Sequence, residues 1–300
     1  MRGHRMIATA GLTAAAALAP LPALAQAEPP GLLELCLATV LRPGEVWQAW
    51  SFSPWVVVPL LVALALFLLG HRRADGRTAA FLAGWGVLVV ALVSPLCRLA
   101  ATLVSAHMAQ FMLLTIVAPA LIALARPGEA MARAAGFRAG SITGGRWMGL
   151  AAVAYGALVW LWHAPTVYET VLLDPTAHLA MFALVVVASV WFWSEHLNAP
   201  KRRAQAALSL LATAAHTGLL GAILTFAPQS FYPLLSAGAE AWQLSPLDDQ
   251  QIAGLVMWVV GGALYLLVIV LLAWRILSDE AAPIEHAPEI AIPTAGSQGR

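Results

Sequence analysis

Three histidines stand where hydrophobic segments of the chain begin or end. His107 begins one segment, His163 ends the next, and His178 begins the one after that. Segments that run alternately up and down place all three at the same end of a bundle. Imidazole suits copper, and the thioethers of Met108 and Met181, close by in sequence, favour Cu(I). The pattern predicts a small imidazole and thioether metal site near one membrane surface.

A fourth histidine lies deeper. His216 falls about halfway along its segment, and Gly218 and Gly221 would allow a neighbouring helix to approach closely. Ionisable groups at such depth are costly and usually functional, so we include His216 among the candidate metal ligands. Gln110 shares a helix face with His107. The alternative for each site is structural, because methionine is common packing and a lone histidine can join two helices.

The elements that would position these side chains are membrane helices. The chain is 61% hydrophobic and only 10% charged, whereas soluble domains have about 25% charged residues. We predict an all-α, polytopic membrane helical bundle of about seven spans, each close to the roughly 20 apolar residues that a bilayer requires. Nothing indicates nucleic-acid binding. The predicted spans are Pro54–Gly70, Ala79–Leu96, Val104–Ala125, Trp147–His163, Thr176–Trp193, Gln205–Phe226 and Ile252–Trp274.

Basic residues predict the orientation. They concentrate in alternate loops, which the positive-inside rule assigns to the cytoplasm. The mature N-terminus is then outside a bacterial plasma membrane, the C-terminus is cytoplasmic, and the histidines lie at the extracytoplasmic face. The basic residues of these loops are Arg72, Arg73, Arg77, Arg126, Arg133, Arg138, Arg146, Lys201, Arg202 and Arg203.

The two ends of the chain are predicted to differ from its middle. Residues 1–27 have the basic start, short apolar core and small-residue cleavage sites of a signal peptide, with an uncleaved anchor as the alternative. Residues 28–52 would be an extracytoplasmic segment, 53–277 the membrane domain, and 278–300 a disordered cytoplasmic tail. The residues 227–251 would form the longest outer loop.

The two cysteines fall on the same predicted side. Cys36 and Cys97 would both face an oxidising compartment, where a disulfide is possible. Metal ligation is another possibility. We expect two unrelated buried thiols, because their spacing matches no known motif.

Several motifs of enzymes are absent from the sequence. It contains no His-Glu-x-x-His, Walker loop, Cys-x-x-Cys or Gly-x-Ser-x-Gly pattern. Hydrolysis and phosphoryl transfer therefore have no visible machinery, and we expect a protein that is not an enzyme.

Taken in order, several motifs resemble a known family. They are His107-Met108-Ala109-Gln110, His163-Ala164-Pro165 with Tyr168, His178, Tyr232-Pro233, and the stretch from Asp249-Gln250 to Met257-Trp258. Together they resemble the multi-span cytochrome c oxidase assembly factors, CtaG of the caa-type oxidases, over roughly residues 50–274. The resemblance implies a seven-span protein that helps to assemble a haem-copper oxidase, by helping to place copper. It implies supporting or partner-contact roles for Gln110, Tyr168, Asp249, Gln250, Met257 and Trp258.

The sequence departs from the family pattern at two positions. The family tends to have a second histidine four residues after His107 and after His178, and here these positions are Phe111 and Phe182. Two plausible ligands are therefore missing. Cu(I) accepts few, soft ligands, so the remaining set could still bind it. Alternatively, this chain keeps the scaffold and has lost the metal.

Three functions follow from this interpretation. The first is an oxidase assembly factor that handles copper at the outer face, with an oxidase subunit or a copper chaperone as partner and membrane lipid around it. The second is a copper or metal-ion transporter in which His216 forms part of the path. The third is a b-type haem redox protein with His107 and His216 as axial ligands.

Overall fold

A computed structural model describes residues 36, 37, 40–137 and 144–280 of the chain. The predicted signal peptide, and the predicted tail beyond Glu280, lie outside these residues. The described part is helical and contains no strand. This confirms the predicted all-α class.

Eleven α-helices make up most of the described part, together with short 3-10 helices such as Pro43–Gln48. Two of them, α4 and α11, are continuous α-helices interrupted by one π-helical turn each. The helices are α1 Pro54–Gly70, α2 Gly76–Val93, α3 Pro95–Ala100, α4 Val104–Leu124, α5 Pro127–Ala134, α6 Met148–His163, α7 Pro165–Leu173, α8 Pro175–Leu197, α9 Arg203–Thr225, α10 Ser236–Ala241 and α11 Pro246–Glu280.

Each of the seven predicted spans overlaps a helix, and a helical membrane bundle fits as expected. The second span ends earlier than predicted, because α2 ends at Val93 and Ser94 caps the separate helix α3. Five of these helices are long and apolar enough to cross a membrane: α2, α4, α8, α9 and α11. The pair α6 and α7 would be a sixth, broken span, because the two helices meet at an angle of 75°. Helix α1 is apolar but shorter, with 17 residues. The count of seven spans stays a prediction.

The break between α6 and α7 lies directly beside a predicted site residue. Ala164 has an extended backbone, with ψ of 124°, immediately before Pro165. Proline disfavours helical geometry in the residue that precedes it, so α6 ends at His163 as the sequence predicts. The bend places His163 at a helix terminus rather than within a straight span.

The π-helical turn of α4 is associated with a proline. Pro119 has no N–H group and leaves the carbonyl of Thr115, four residues earlier, without a helical partner. Trp193 on α8 donates its indole N–H to that carbonyl at 2.7 Å. The same bond ties α4 to α8 in the middle of the bundle. The second π-helical turn, Val256–Val260 in α11, contacts the first part of α4.

The structure corrects three predictions outside the spans. Cys36 and Cys97 form a disulfide, with Cα atoms 5.3 Å apart, so the expectation of two unrelated thiols is wrong. The predicted outer loop 227–251 is largely helical, and α11 begins at Pro246, where the Ser245 hydroxyl accepts the N–H of Asp248 at 3.0 Å. Helix α11 also continues to Glu280, past the predicted start of the tail.

Opposite ends of the bundle have different chemistry. We call the end that contains His107, His163 and His178 the histidine end. The other, the arginine end, is tied together by basic side chains: Arg126 donates to Asn198 at 3.2 Å, and Arg202 donates to the carbonyl of Gly145 at 3.0 Å.

Candidate functional site: a buried histidine pocket

The structure brings the three predicted histidines together. His107, His163 and His178 are 6%, 7% and 3% exposed, and His107 lies within electrostatic range of both others. Aromatic rings fill the space between them. Phe111 packs edge-on against His163 with ring centroids 5.0 Å apart, and Tyr168 packs against His107 at 4.6 Å. We call this group, with Phe182, the histidine pocket.

A buried carboxylate fixes the start of the helix that bears His107. Asp249 on α11 is 1% exposed and accepts the backbone N–H groups of Val104 at 2.7 Å and Ser105 at 3.1 Å, together with the Ser105 hydroxyl. The first N–H groups of a helix have no internal partner and attract negative charge. Asp249 therefore caps α4 from a distant part of the sequence and sets the position of His107.

Amides and a tyrosine hold the surrounding elements. Gln250 accepts the N–H of Phe231 at 2.6 Å and donates to the carbonyl of Leu224 at 3.2 Å. Tyr232 donates its hydroxyl to the carbonyl of His163 at 2.9 Å, which satisfies the terminus of α6. Burial raises the pKa of Tyr232, so this hydroxyl stays protonated and remains a donor.

Gln110 also holds a neighbouring element in place, on the other side of α4. Its amide donates to the carbonyl of Ala91, near the end of α2, at 2.7 Å. Gln110 is fully buried with His107 on the same helix. The predicted supporting residues Gln110, Asp249 and Gln250 thus act by fixing backbone positions around the pocket.

Several polar atoms of the pocket are buried and have no hydrogen-bond partner in the described chain. They are Nε2 of His163, both ring nitrogens of His178 and the hydroxyl of Tyr168. The carbonyl of Val171 lies near the His178 ring, but outside hydrogen-bonding geometry. Leaving one buried group unbonded costs about 1–3 kcal/mol, so most such groups are bonded. Their concentration here distinguishes the pocket from ordinary packing.

The orientation of His163 leaves a lone pair available. Its Nδ1 lies 2.6 Å from the carbonyl of Val159 and donates to it. The proton is then on Nδ1, and Nε2 is an acceptor or a metal ligand. Metal-binding histidines are commonly oriented by such a bond on the second ring nitrogen.

Comparison with known proteins identifies the family. The profile of the cytochrome c oxidase caa3 assembly factors (Caa3_CtaG) matches residues 61–279. The chain belongs to this family. No curated protein and no solved structure matches the chain. The predicted resemblance is therefore confirmed, and the matched range contains every residue of the histidine pocket.

Two phenylalanines give this member of the family its particular pocket. Phe182 packs edge-on against His178 with ring centroids 4.6 Å apart, as Phe111 does against His163. Both rings lie where the resemblance leads us to expect second histidines. Within the described residues, no three His, Cys, Asp or Glu side chains are arranged to hold a metal ion. The pocket thus offers few nitrogen ligands and aromatic walls.

The other predicted ligands are divided between the interior and the flanks. Met108 and Met181 are buried. His216 is half-buried on a flank of α6 and α9, where its Nδ1 accepts the indole N–H of Trp160 at 3.3 Å and its ring lies against Gly156. In the described contacts it does not join the three pocket histidines, so His216 is not brought into the predicted cluster.

The two remaining predicted residues lie one after the other in α11 but differ in environment. Met257 is buried within the π-helical turn, whereas Trp258 is about two-fifths exposed and lies over Gly221 of α9. Trp258 thus packs two helices together at the lipid-facing surface. It does not contact the pocket histidines in the described structure.

Two contributions could not be derived from residue types. Ser105 adds a hydroxyl to the cap that Asp249 forms, and Val159 orients His163 through its carbonyl. A serine near the start of a predicted helix is a weak signal for capping. A backbone carbonyl leaves no signal in the sequence.

Proposed function

We propose that this family member holds Cu(I) in the histidine pocket, as cargo for a haem-copper oxidase. The observation that carries the proposal is the set of buried nitrogen atoms on His163 and His178 that have no hydrogen-bond partner. A bound soft cation would use one lone pair of each neutral imidazole and lower the cost of leaving these nitrogens unbonded. Membership in a family of cytochrome c oxidase caa3 assembly factors supports an oxidase as the client.

The ligand types agree with this cargo. Imidazole nitrogen and thioether sulfur are ligands that Cu(I) accepts at low coordination number. Because no three such side chains of the described residues are arranged around one ion, two of His107, His163 and His178 would supply the nitrogens. The buried sulfurs of Met108 and Met181 lie on the helices of His107 and His178. Phe111 and Phe182 exclude water from the pocket. Few ligands also favour release, which an assembly factor needs and a permanent metal centre does not.

Metal content tests the proposal directly. Protein purified in detergent and loaded with Cu(I) should retain copper, and the triple variant with His107, His163 and His178 changed to alanine should lose it. His196→Ala is the matched control, because His196 is equally buried at the arginine end. Equal copper in the triple variant and the control would contradict the proposal.

A deletion strain tests the cellular role. Without the protein, haem-copper oxidase activity and absorbance in low copper should fall, and the triple variant should not restore them. Full oxidase activity in the deletion strain would contradict the assembly role. Two measurements on the purified protein test the alternatives raised by the sequence. A Soret band would indicate bound haem. Copper uptake into proteoliposomes would indicate transport.

The proposal also requires that the histidine end face the extracytoplasmic side. The Cys36–Cys97 disulfide supports this orientation, since disulfides persist in oxidising compartments. Ser245→Cys lies at the histidine end and Ser278→Cys at the opposite end of α11, and both positions are exposed. A membrane-impermeant maleimide should label the first in intact cells and the second only after lysis. The reverse pattern would exclude copper handling at the outer face.

A further inference from the structure

The arginine end carries a basic pocket that the histidine chemistry does not explain. Arg72, Arg73, Arg77 and Arg133 line a cavity of about 610 Å³ together with Leu69, Gly70 and His71. Cavities of roughly 300–1,000 Å³ are typical of small-molecule sites. Four guanidinium groups around one cavity predict an anionic ligand.

The carboxylates nearby neutralise only part of this charge. Glu129 lies 3.7 Å from Arg77 and 4.0 Å from Arg126, and Asp75 pairs with His71 at 2.9 Å. In the described residues, Arg72, Arg73 and Arg133 have no carboxylate within ion-pair distance. The Nε atoms of Arg72 and Arg133 donate instead to backbone carbonyls, and these hydrogen bonds fix the direction of each guanidinium group.

The fold forces these arginines together. Helix α1 ends where Gly70 touches α5 so closely that a Cβ atom would lie 1.8 Å from the carbonyl oxygen of Ala130. Only glycine fits at such an approach. Helix α2 then begins at once, because Asp75 accepts the N–H groups of Arg77 and Thr78. The short turn between the helices holds Arg72 and Arg73 opposite Arg133 of α5.

An apolar groove lies beside the basic pocket. It has a volume of about 430 Å³ and runs between α1 and α2 on one side and α8 on the other. The indole N–H of Trp85, in its wall, donates to the carbonyl of Leu60 at 2.9 Å, so that wall presents hydrocarbon. Residues that line the groove include Leu60, Ala63, Trp85, Leu88, Val186 and Val190.

Glu129 and Arg126 connect the two features. Both line the groove, and Glu129 contacts Arg77, which lines the basic pocket. We propose that pocket and groove together bind one anionic phospholipid, with an acyl chain in the groove and its phosphate among Arg72, Arg73 and Arg133. Basic pockets between membrane helices are suited to such headgroups. The charge selects an anionic over a zwitterionic lipid, and the groove selects a lipid over a free phosphate.

The headgroup test uses charge variants of the full-length protein. Native mass spectrometry should show cardiolipin or phosphatidylglycerol bound to the purified protein, and phosphatidylcholine bound far more weakly. The triple variant with Arg72, Arg73 and Arg133 changed to glutamine should lose affinity by roughly 100-fold, since each basic residue near a lipid surface contributes about one factor of five. A control triple with Lys201, Arg203 and Arg275 changed to glutamine has the same net charge and should lose less than about threefold.

The groove is tested separately. Ala63→Trp should fill it and weaken lipid binding, whereas Leu61→Trp, at a neighbouring position that is half-exposed and outside the groove, should not. Thermal unfolding of delipidated protein supplies an independent measurement. Phosphatidylglycerol should raise the midpoint of unfolding. Inorganic phosphate at about 10 mM, roughly a saturating concentration for a weak site, should leave the midpoint unchanged. Equal binding of phosphatidylcholine, equal stabilisation by phosphate, or equal loss in the two triple variants would overturn the proposal.

Discussion

Helix α8 carries a buried histidine near each end, and the two are held in opposite ways. His196 is 1% exposed, and its ring nitrogens are bonded to the carbonyl of Phe192 at 2.7 Å and the hydroxyl of Ser209 at 2.8 Å. His178 is 3% exposed, and neither nitrogen is bonded within the described chain. Residue type, helix and burial are the same. The number of satisfied polar atoms is what separates a structural histidine from a candidate ligand.

The surroundings of the two histidines extend the contrast. At the arginine end, Asn198 joins the carbonyl of Ala123 to the side chain of Arg126. Glu195 accepts the backbone N–H of Trp147, the residue that precedes α6. Buried polar groups there hold helix ends together. In the histidine pocket, the supporting residues make similar bonds, and Nδ1 of His163 is bonded to Val159, but Nε2 of His163 and both ring nitrogens of His178 remain unbonded in the described chain. This division is expected if the centre is reserved for a ligand.

The largest predicted effect comes from replacing each histidine of α8 by leucine. His178→Leu should abolish copper retention and oxidase assembly, while thermal stability in detergent stays the same or rises, because a buried unbonded group is removed. His196→Leu should keep copper but lose about 2–3 kcal/mol of stability, since it breaks a hydrogen bond to Ser209 and leaves that hydroxyl without its partner. Copper analysis and thermal unfolding of both purified variants measure the two effects.

The opposite result for the two leucine variants would contradict this interpretation of His178. If His178→Leu destabilised the protein and retained copper, the unbonded nitrogens of His178 would be a packing feature. The comparison along α8 would then have no functional meaning.

The positions of the helices could be predicted from the sequence because each depends on a local signal. The apolar run of Pro54–Gly70 and the helix end before Pro165 agree with the structure to the residue. The start of α11 at Pro246 was missed, because Asp248 and Asp249 are polar and resemble a loop. Asp249 is nevertheless buried, since its partners are N–H groups 144 and 145 positions away.

The site was predictable only in part, for a related reason. Alternating spans bring His107, His163 and His178 to one end whatever their side-chain directions. The flank position of His216 depends on the rotation of α9 about its own axis, and short residues such as Gly156, which receives the His216 ring, leave little signal for that rotation. The disulfide was missed because a pairing across 61 residues depends on the docking of residue 36 against α3.

A smaller effect is predicted for the caps of the two helices that carry pocket histidines. Asp249→Asn should cost about 2–3 kcal/mol, because an amide N–H would face N–H donors in a buried site. Asp174 caps α8 through the N–H groups of Thr176 and Ala177 at an exposed position, and Asn is an equally good cap there. Asp174→Asn should therefore change stability by less than about 0.5 kcal/mol.

Thermal unfolding of the two asparagine variants measures this difference. Copper affinity should also fall in Asp249→Asn, because the cap sets the position of His107. Equal stability of the two variants would show that Asp249 is not a structural anchor of the pocket.

Placing a second histidine in the pocket should increase the difference in metal binding between the histidine end and the arginine end. Phe111→His places an imidazole against His163, at the position now occupied by the edge-on phenyl ring, and four residues from His107 on α4. Copper affinity should increase by at least roughly tenfold, since even groups behind a metal ligand alter affinity by 10–100-fold. Phe182→His should act similarly beside His178.

Phe226→His is the matched control, because Phe226 is 74% exposed at the end of α9. Competition with a calibrated Cu(I) chelator measures all three affinities. An unchanged affinity in both pocket variants would mean that copper does not bind among these rings.

The smallest effects are predicted for two tyrosines that touch each other in the pocket wall. The rings of Tyr168 and Tyr232 lie 5.1 Å apart, edge to face. The Tyr232 hydroxyl donates to the carbonyl of His163, whereas that of Tyr168 is buried without a partner. Tyr232→Phe should therefore cost about 1 kcal/mol of stability, and Tyr168→Phe should cost none.

Copper binding should respond in the reverse order. Tyr168→Phe removes an unbonded oxygen from the pocket and should weaken copper binding by up to about tenfold, as loss of a group beside a metal ligand does. Tyr232→Phe leaves every ring of the pocket in place and should weaken it less. Because the two changes delete the same atom type from touching rings, size and hydrophobicity cannot account for a reversed order of the two variants between stability and copper affinity. If both variants lost equal stability and kept equal copper affinity, satisfied and unsatisfied hydroxyls would be energetically alike here, and the pocket would be ordinary core.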